Sequence, residues 1–286
     1  MTWHPQLGNI ASTELSKWLS GLAPSPPVRR SIVIASEERS GSEWLCQLMT
    51  ATGSVGRPAE YLNAPWFRNF IPDYPEDAAA EMAIAHRAGT TPNGIFAMKI
   101  HPWQFDKLMK EGVLLSEAFP QRVFLWISRR DRLRQAISLF RARQTDRYHE
   151  YRQPQALEQY DRTSILHTLD EIVQSSARWT QYFARNGIDP LVVWYEDLEA
   201  NSIGTIEAVA RLVDVSFAQQ SGTVERELKK QRDDTTEEWR QRFLSEARDI
   251  DRLDTVWDSF SRLPNAVMQA RSAELVPGIR NPRSEG

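Results

Sequence analysis

Cysteine is nearly absent. Cys46 is the single one in 286 residues, so no intrachain disulfide can form, and its place in an apolar helical pattern marks it as core. Long apolar runs are missing too: no stretch approaches the roughly 20 residues that a membrane-crossing helix needs. The N-terminal MTWHPQLGNI lacks the basic-then-apolar plan of a secretory signal. Neither sign of charge is in excess, with 35 basic against 38 acidic side chains, which removes the global electrostatic signature of a nucleic-acid or anionic-membrane binder. No cluster of His, Cys, Asp and Glu shows metal-ligand spacing. These absences predict a soluble, cytoplasmic protein with no metal, no nucleic-acid partner and no membrane span.

What is present centres on Arg30 to Leu48, RSIVIASEERSGSEWLCQL. The β-branched run Ile32-Val33-Ile34 predicts a buried strand. A polar turn follows, and then a helical pattern with Trp44, Leu45, Leu48 and Met49 on one face. A strand feeding a helix through small residues gathers backbone N–H groups and a helix N-terminus around an anion. Ser40 and Ser42 bring hydroxyls, Gly41 lets the backbone come close, and Arg39 adds a fixed positive charge. The stretch reads as a phosphate cradle; the plainer alternative is a strand–turn–helix that only packs. It is not a Walker A loop, because it has one glycine and no lysine, which speaks against an ATP or GTP hydrolase and against a small-molecule kinase.

Further strands are predicted at 95–100, 123–127 and 191–195, each separated from the next by helical periodicity. A short helix around Leu15, Trp18 and Leu19 precedes the Pro-rich linker at 24–27. Residues 63–75 read as an aromatic-rich loop and 76–88 as an Ala-rich helix, while 144–160 reads as polar and aromatic loop. A long helix carries Ile165, Leu169, Ile172, Trp179 and Phe183 and stops at Gly187. The last strand leads into one helix through Val213. Alternating strands and helices predict an α/β fold, three layers and P-loop-like, with a central, mainly parallel sheet flanked by helices and a helical C-terminal region. The expected organisation is an N-terminal arm over 1–29, the main domain over 30–245, and a helical extension and tail over 246–286. Gly53 ends the first helix of that domain and Arg57-Pro58 enforces an extended path, so Glu60 is presented from a constrained backbone.

In open parallel sheets ligands bind beyond the C-terminal strand ends. Four groups fall there: Arg39–Ser42, Lys99 with His101, Arg129-Arg130 with Ser138, and Tyr195-Glu196-Asp197. Arg130 directly follows a strand and Ser138 lies eight residues on, so a second anion could be held between them. Two separated anion sites on one sheet suggest a nucleotide phosphorylated at both ends of its ribose. Against this stands a solvated basic helix start, although cations there oppose the helix dipole.

The strand–RSGS–helix cradle, the GRPAEYL segment, the RRDRLRQAISLFRA stretch, WYEDL, and a later stretch from Leu228 to Phe243 occur in this order. In them the chain resembles the Stf0-type bacterial sulfotransferases, relatives of the trehalose 2-sulfotransferase. The resemblance implies a donor, 3′-phosphoadenosine 5′-phosphosulfate (PAPS), and a small-molecule hydroxyl acceptor such as a carbohydrate or glycolipid precursor. It implies that Arg39, Ser40, Gly41 and Ser42 hold the 5′-phosphosulfate, that Arg130 and Ser138 hold the 3′-phosphate, and that Glu60 is the general base. It also implies a homodimer. Trp44 either stacks on adenine or packs in the core. Lys99 and His101 either meet the acceptor and the transferring group or are ordinary strand-end residues. Lys230 either folds over the nucleotide or lies on an exposed charged helix.

The chain departs from the family's pattern at Glu37, Glu38 and Glu43. Carboxylates beside a polyanion site weaken binding unless they point away or find cationic partners; Glu43 reads as a helix-start residue facing solvent. These three are the features that favour the rival reading, a non-catalytic descendant that binds a nucleotide or a partner through the same cleft.

Overall fold

Four apolar runs form one sheet, and helices cover both of its faces. The computed structural model describes residues 14–21, 26–146, 148, 157–216 and 234–246. In chain order the elements are α1 (Glu14–Gly21), β1 (Arg30–Ser36), α2 (Ser42–Ala51), α3 (Ala64–Phe67), α4 (Ala78–Gly89), β2 (Ile95–Ile100), α5 (Pro102–Lys110), α6 (Leu115–Ala118), β3 (Arg122–Ser128), α7 (Arg132–Thr145), α8 (Arg162–Asn186), β4 (Leu191–Trp194), α9 (Tyr195–Ala200), α10 (Ser202–Leu212) and α11 (Asp234–Ser245). The chain divides into two units, Met1–Arg240 and Gln241–Gly286; the sheet and the site belong to the first. Of the second, the structure describes 241–246, the end of α11. Lys230, most of 144–160 and the tail from 247 lie outside the described residues. Among the described residues no helix is long and apolar enough to cross a membrane.

The sheet order is β2-β1-β3-β4 and every pair is parallel. Side chains alternate between faces along each strand, which separates two cores. Val33, Ala35, Phe96, Met98, Ile100 and Phe124 pack with Phe105 of α5 and Trp179 and Phe183 of α8. Ile32, Ile34, Ile95, Ala97, Leu125, Ile127 and Val193 pack with Leu45, Leu48 and Met49 of α2 and Ile206 and Val209 of α10. The result is three layers, with strands apolar on both sides, as buried parallel strands are.

Three local differences from the sequence expectation have identifiable causes. Tyr195 does not extend the last strand but opens α9. The helix expected through Val213 is two, because the Asn201 side chain accepts the Gly204 N–H and caps a new start. The 63–75 loop contains α3, for which the Asn63 side chain accepts the Trp66 N–H and Pro65 fits the first turn.

Candidate active site

Two loops at the C-terminal ends of β1 and β2 build the site. After β1, the chain turns through Glu37–Gly41 into α2, with Arg39 at φ 59° and Gly41 at φ 89°. A left-handed Arg39 costs about 1–3 kcal/mol and persists only where its surroundings impose it. They do so from β3 and α7. The buried Glu37 carboxylate accepts from Trp126 Nε1 at 3.0 Å, Ser128 Oγ at 3.2 Å and Arg132 at 3.4 Å. Gln135 Nε2 donates to the Glu38 carbonyl at 2.7 Å, and Arg129 donates to the Arg39 carbonyl at 3.2 Å. The Arg129 guanidinium lies over the Tyr195 ring, 4.4 Å from its centroid. A Cβ on Gly41 would stand 2.2 Å from Tyr195 Cδ2, so this position requires glycine for space as well as for its positive φ.

The turn ends on the N-terminus of α2, whose first N–H groups have no partner within the helix. Beside it, the Ser40 hydroxyl is fully buried and has no hydrogen-bond partner among the described residues. A buried hydroxyl left open at a helix N-terminus fits an anion acceptor, which is what the phosphosulfate end of a nucleotide donor would supply. Trp44, in the first turn of α2, stands edge-on to Tyr195 at 6.3 Å between ring centroids and packs against the core under α2.

The second loop starts from Gly56, at φ 87°, where a Cβ would come 2.3 Å from Ala97 Cβ. That close approach lets the chain run beside β2, where Lys99 N–H donates to the Ala59 carbonyl at 3.1 Å. Glu60 follows directly. Lys99 continues the row Ile95, Ala97 on the sheet face toward α2, and its ammonium is 2.7 Å from Glu60 Oε1 and 3.1 Å from Glu43 Oε2. His101 Nε2 is 3.3 Å from Glu60 Oε1, while Nδ1 faces the Ser36 carbonyl at 3.0 Å. Asn63 Nδ2 and Gln104 Nε2 donate to Glu60 Oε2 at 3.0 and 3.5 Å. Gln104 is itself fixed, because its Oε1 accepts the His101 N–H at the start of α5.

Charge inside this cluster follows from burial against pairing. Burial pushes the Glu60 carboxyl upward, but the Lys99 and His101 charges and their hydrogen bonds outweigh it and hold the group well below the usual carboxylate range. Burial pulls Lys99 and His101 down; Glu60 outweighs it in both, with Glu43 adding to the effect on Lys99, so both stay more basic than in water. The protonated imidazole then donates from both nitrogens, to Glu60 and to Ser36. Burial drives the neighbouring Cys46 thiol far up, so it packs as an unreactive apolar group.

The three anomalous carboxylates are all paired. Glu37 is bound as described, Glu38 meets Arg143 at 3.2 Å, and Glu43 holds Lys99 rather than facing solvent alone. The basic start of α7 is paired too: Arg132 also reaches Ser176 Oγ at 2.9 Å and Arg134 pairs with Glu237 of α11.

The arginine–serine pair expected from sequence is divided between two partners. Ser138 Oγ accepts from Arg39 Nε at 3.0 Å, and Arg39 also donates to the Tyr148 carbonyl at 2.7 Å. Arg130 instead makes a bidentate pair with Asp197 at 2.7 and 2.6 Å, while Glu196 accepts its backbone N–H. Lys99, His101 and Glu60 come together, as do Ser40, Gly41 and Ser42; Lys230 is outside the described residues. Sequence reasoning missed Asn63, Gln104, the Lys99 contact of Glu43, and Arg129 beneath Arg39. Gln104 had a readable signal, a glutamine at the third position of a helix that opens with Pro102. Asn63 had one too, an asparagine three residues after Glu60 and just before Pro65, in position to cap a helix. The Lys99–Glu43 and Arg129–Arg39 contacts had none, since their partners are far away in sequence.

The Stf0 sulphotransferase family model matches residues 31–246, from β1 to the residue after α11. The trehalose 2-sulfotransferase of Mycobacterium tuberculosis (strain ATCC 35801 / TMC 107 / Erdman) is 26% identical over 267 residues, covering 78% of this chain and 97% of the relative. The trehalose 2-sulfotransferase of Mycolicibacterium smegmatis (strain ATCC 700084 / mc(2)155) is 24% identical over 260 residues, covering 76% and 94%. With a family match spanning both loops and the whole parallel sheet, the chain belongs to the Stf0 sulphotransferases.

Proposed function

We propose that this sulfotransferase uses PAPS and moves its sulfuryl group to a hydroxyl of a carbohydrate, a glycolipid precursor or another small metabolite, with Glu60 as general base. The observation that carries this is the meeting of base and cradle at one side chain: the buried Lys99 ammonium contacts both Glu60 and the first turn of α2. In the reaction the acceptor oxygen attacks sulfur in line, the bond from sulfur to the 5′-phosphate oxygen breaks, and its electron pair leaves with adenosine 3′,5′-bisphosphate. The acceptor proton goes to Glu60. Arg39, Ser40, Gly41 and Ser42 hold the phosphosulfate end, where negative charge grows on the leaving oxygen and fixed donors stabilise it. Arg130 and Ser138 hold the 3′-phosphate, and Arg130 exchanges the Asp197 carboxylate for it.

The names of the two relatives make trehalose the first acceptor to test. The pairing of Glu37, Glu38 and Glu43 with cations offsets part of the repulsion that favoured a non-catalytic descendant. The same reading includes a homodimer, to be checked by light scattering, and a reducing cytoplasm, in keeping with the lone buried Cys46.

Thermal unfolding with added nucleotide tests the donor. Adenosine 3′,5′-bisphosphate at about a hundred times its Kd stabilises a folded binder by about 2.7 kcal/mol, a rise of several degrees for a chain of this size. ATP should give much less. No rise with the bisphosphate would remove the donor assignment. Incubation of enzyme, PAPS and trehalose should then give a product heavier by one sulfuryl group in the mass spectrum.

A further inference from the structure

Glu60 is saturated. A carboxylate offers about four lone-pair positions, and four donors are already on it: Lys99 and His101 at Oε1, Asn63 and Gln104 at Oε2. A general base must accept a hydrogen bond from the acceptor hydroxyl before it takes the proton, so one donor has to leave. Three of the four are tied elsewhere. His101 is buried and anchored through Nδ1 on the Ser36 carbonyl. Asn63 caps α3 through its Oδ1, and Gln104 caps α5 through its Oε1. Lys99 alone among these four has a second carboxylate within reach, Glu43 at 3.1 Å. Glu60 is the inner of the two carboxylates, with a side chain 21% exposed against 50% for Glu43, and Lys99 between them is 5% exposed.

We propose that Glu43 is a positioning residue for sulfuryl transfer: it receives the Lys99 ammonium as Lys99 leaves Glu60, which uncovers the base and brings the cation to the first turn of α2. The inference rests on the sulfotransferase reading above and assigns a task to a carboxylate that would otherwise only repel the donor. Once Lys99 has moved, Glu60 keeps His101 as its cationic partner and stays ionised, but it is a stronger base than with both cations attached. The acceptor proton then passes to Glu60 while the sulfur–oxygen bond to the 5′-phosphate breaks, and the displaced ammonium stands where negative charge is gathering. A catalytic base that is covered until its lysine is drawn off would be held inactive without donor.

The test is Glu43→Gln, a half-exposed position whose substitution preserves side-chain shape. If Glu43 receives Lys99, the variant keeps Lys99 on Glu60: kcat with PAPS falls by about tenfold, equivalent to about 1.4 kcal/mol of barrier, and the acid limb of its pH profile moves to lower pH. If Glu43 is only an unfavourable charge near the donor, the KM for PAPS falls and kcat is unchanged, and the inference is overturned. A second measurement does not depend on turnover. The Glu60 carboxyl is followed by 13C NMR across pH in wild type, Glu43→Gln, Lys99→Met and the double variant, with Glu60→Gln for assignment. Coupling through Lys99 makes Glu43→Gln lower the Glu60 midpoint clearly in the wild-type background and little in the Lys99→Met background. An equal shift in both backgrounds would mean that Lys99 carries nothing between the two acids. Failure of wild type to transfer a sulfuryl group to any acceptor would sink the sulfotransferase reading instead, and the NMR cycle would then decide the Lys99–Glu43 coupling by itself.

Discussion

Glu60 is a carboxylate that the surrounding residues keep charged at a cost. Two cations hold this half-buried acid well below the usual carboxylate range against its desolvation, and two amides also donate to it, which looks contrary to proton abstraction. Sulfuryl transfer eases that contradiction, because bond cleavage to the leaving phosphate carries much of the transition-state charge and little basicity is asked of the acceptor's partner. Glu60→Gln keeps the shape and the amide contacts but cannot take a proton. It should retain the thermal shift with adenosine 3′,5′-bisphosphate while kcat drops by about 10²–10⁴; wild-type turnover in the variant would strip Glu60 of the base role. Both ring nitrogens of His101 are occupied, by Glu60 and by Ser36.

At the scale of elements, the turn between β1 and α2 owes its form to β3 and α7 more than to itself. Its buried acid is bound by Trp126, Ser128 and Arg132, its carbonyls by Gln135 and Arg129, and its arginine by Ser138. As the proposed anion cradle, a turn fixed this way would need little reorganisation when charge develops. Gly41→Ala tests that rigidity, because the new methyl meets the Tyr195 ring and the residue must hold φ 89°. The expected loss is about 1–3 kcal/mol of stability, read as a lower Tm, together with loss of the bisphosphate shift. An unchanged shift would mean that the turn does not contact the nucleotide. The strands themselves were legible because each is a continuous β-branched or aromatic run between helical patterns. Tyr195 was misread because an aromatic residue after Leu191-Val192-Val193-Trp194 continues the apolar run, while its packing role at Gly41 is decided 154 positions away. The division of Arg130 and Ser138 between Asp197 and Arg39 was illegible for the same reason. Spacing along α7 says nothing about which acid or cation another segment brings to it.

Across the whole molecule, the buried titratable groups give the stability curve a direction that the near-neutral net charge of −3 conceals. Glu60, with its pKa depressed on folding, contributes stability above the ordinary carboxylate range and loses it as pH falls through its folded value. His101, with its pKa raised, contributes below the ordinary imidazole value of about 6.5 and loses it as pH rises through its folded value. Glu81 joins the second group. It is fully buried on α4 beside Lys107, and burial pushes its carboxyl up to about 7 although Lys107 works against the shift. Its contribution is complete below the unfolded value of about 4.3 and is lost as pH rises toward 7, on the order of 3 kcal/mol at 1.36 kcal/mol per pH unit. Wild-type Tm should therefore decline from pH 5 to pH 8. Glu81→Gln has no proton to lose, so its decline should be shallower, with the variant gaining most on wild type at pH 8. Parallel Tm curves for the two proteins would show that Glu81 stays ionised in the fold and that Lys107 fully offsets its burial.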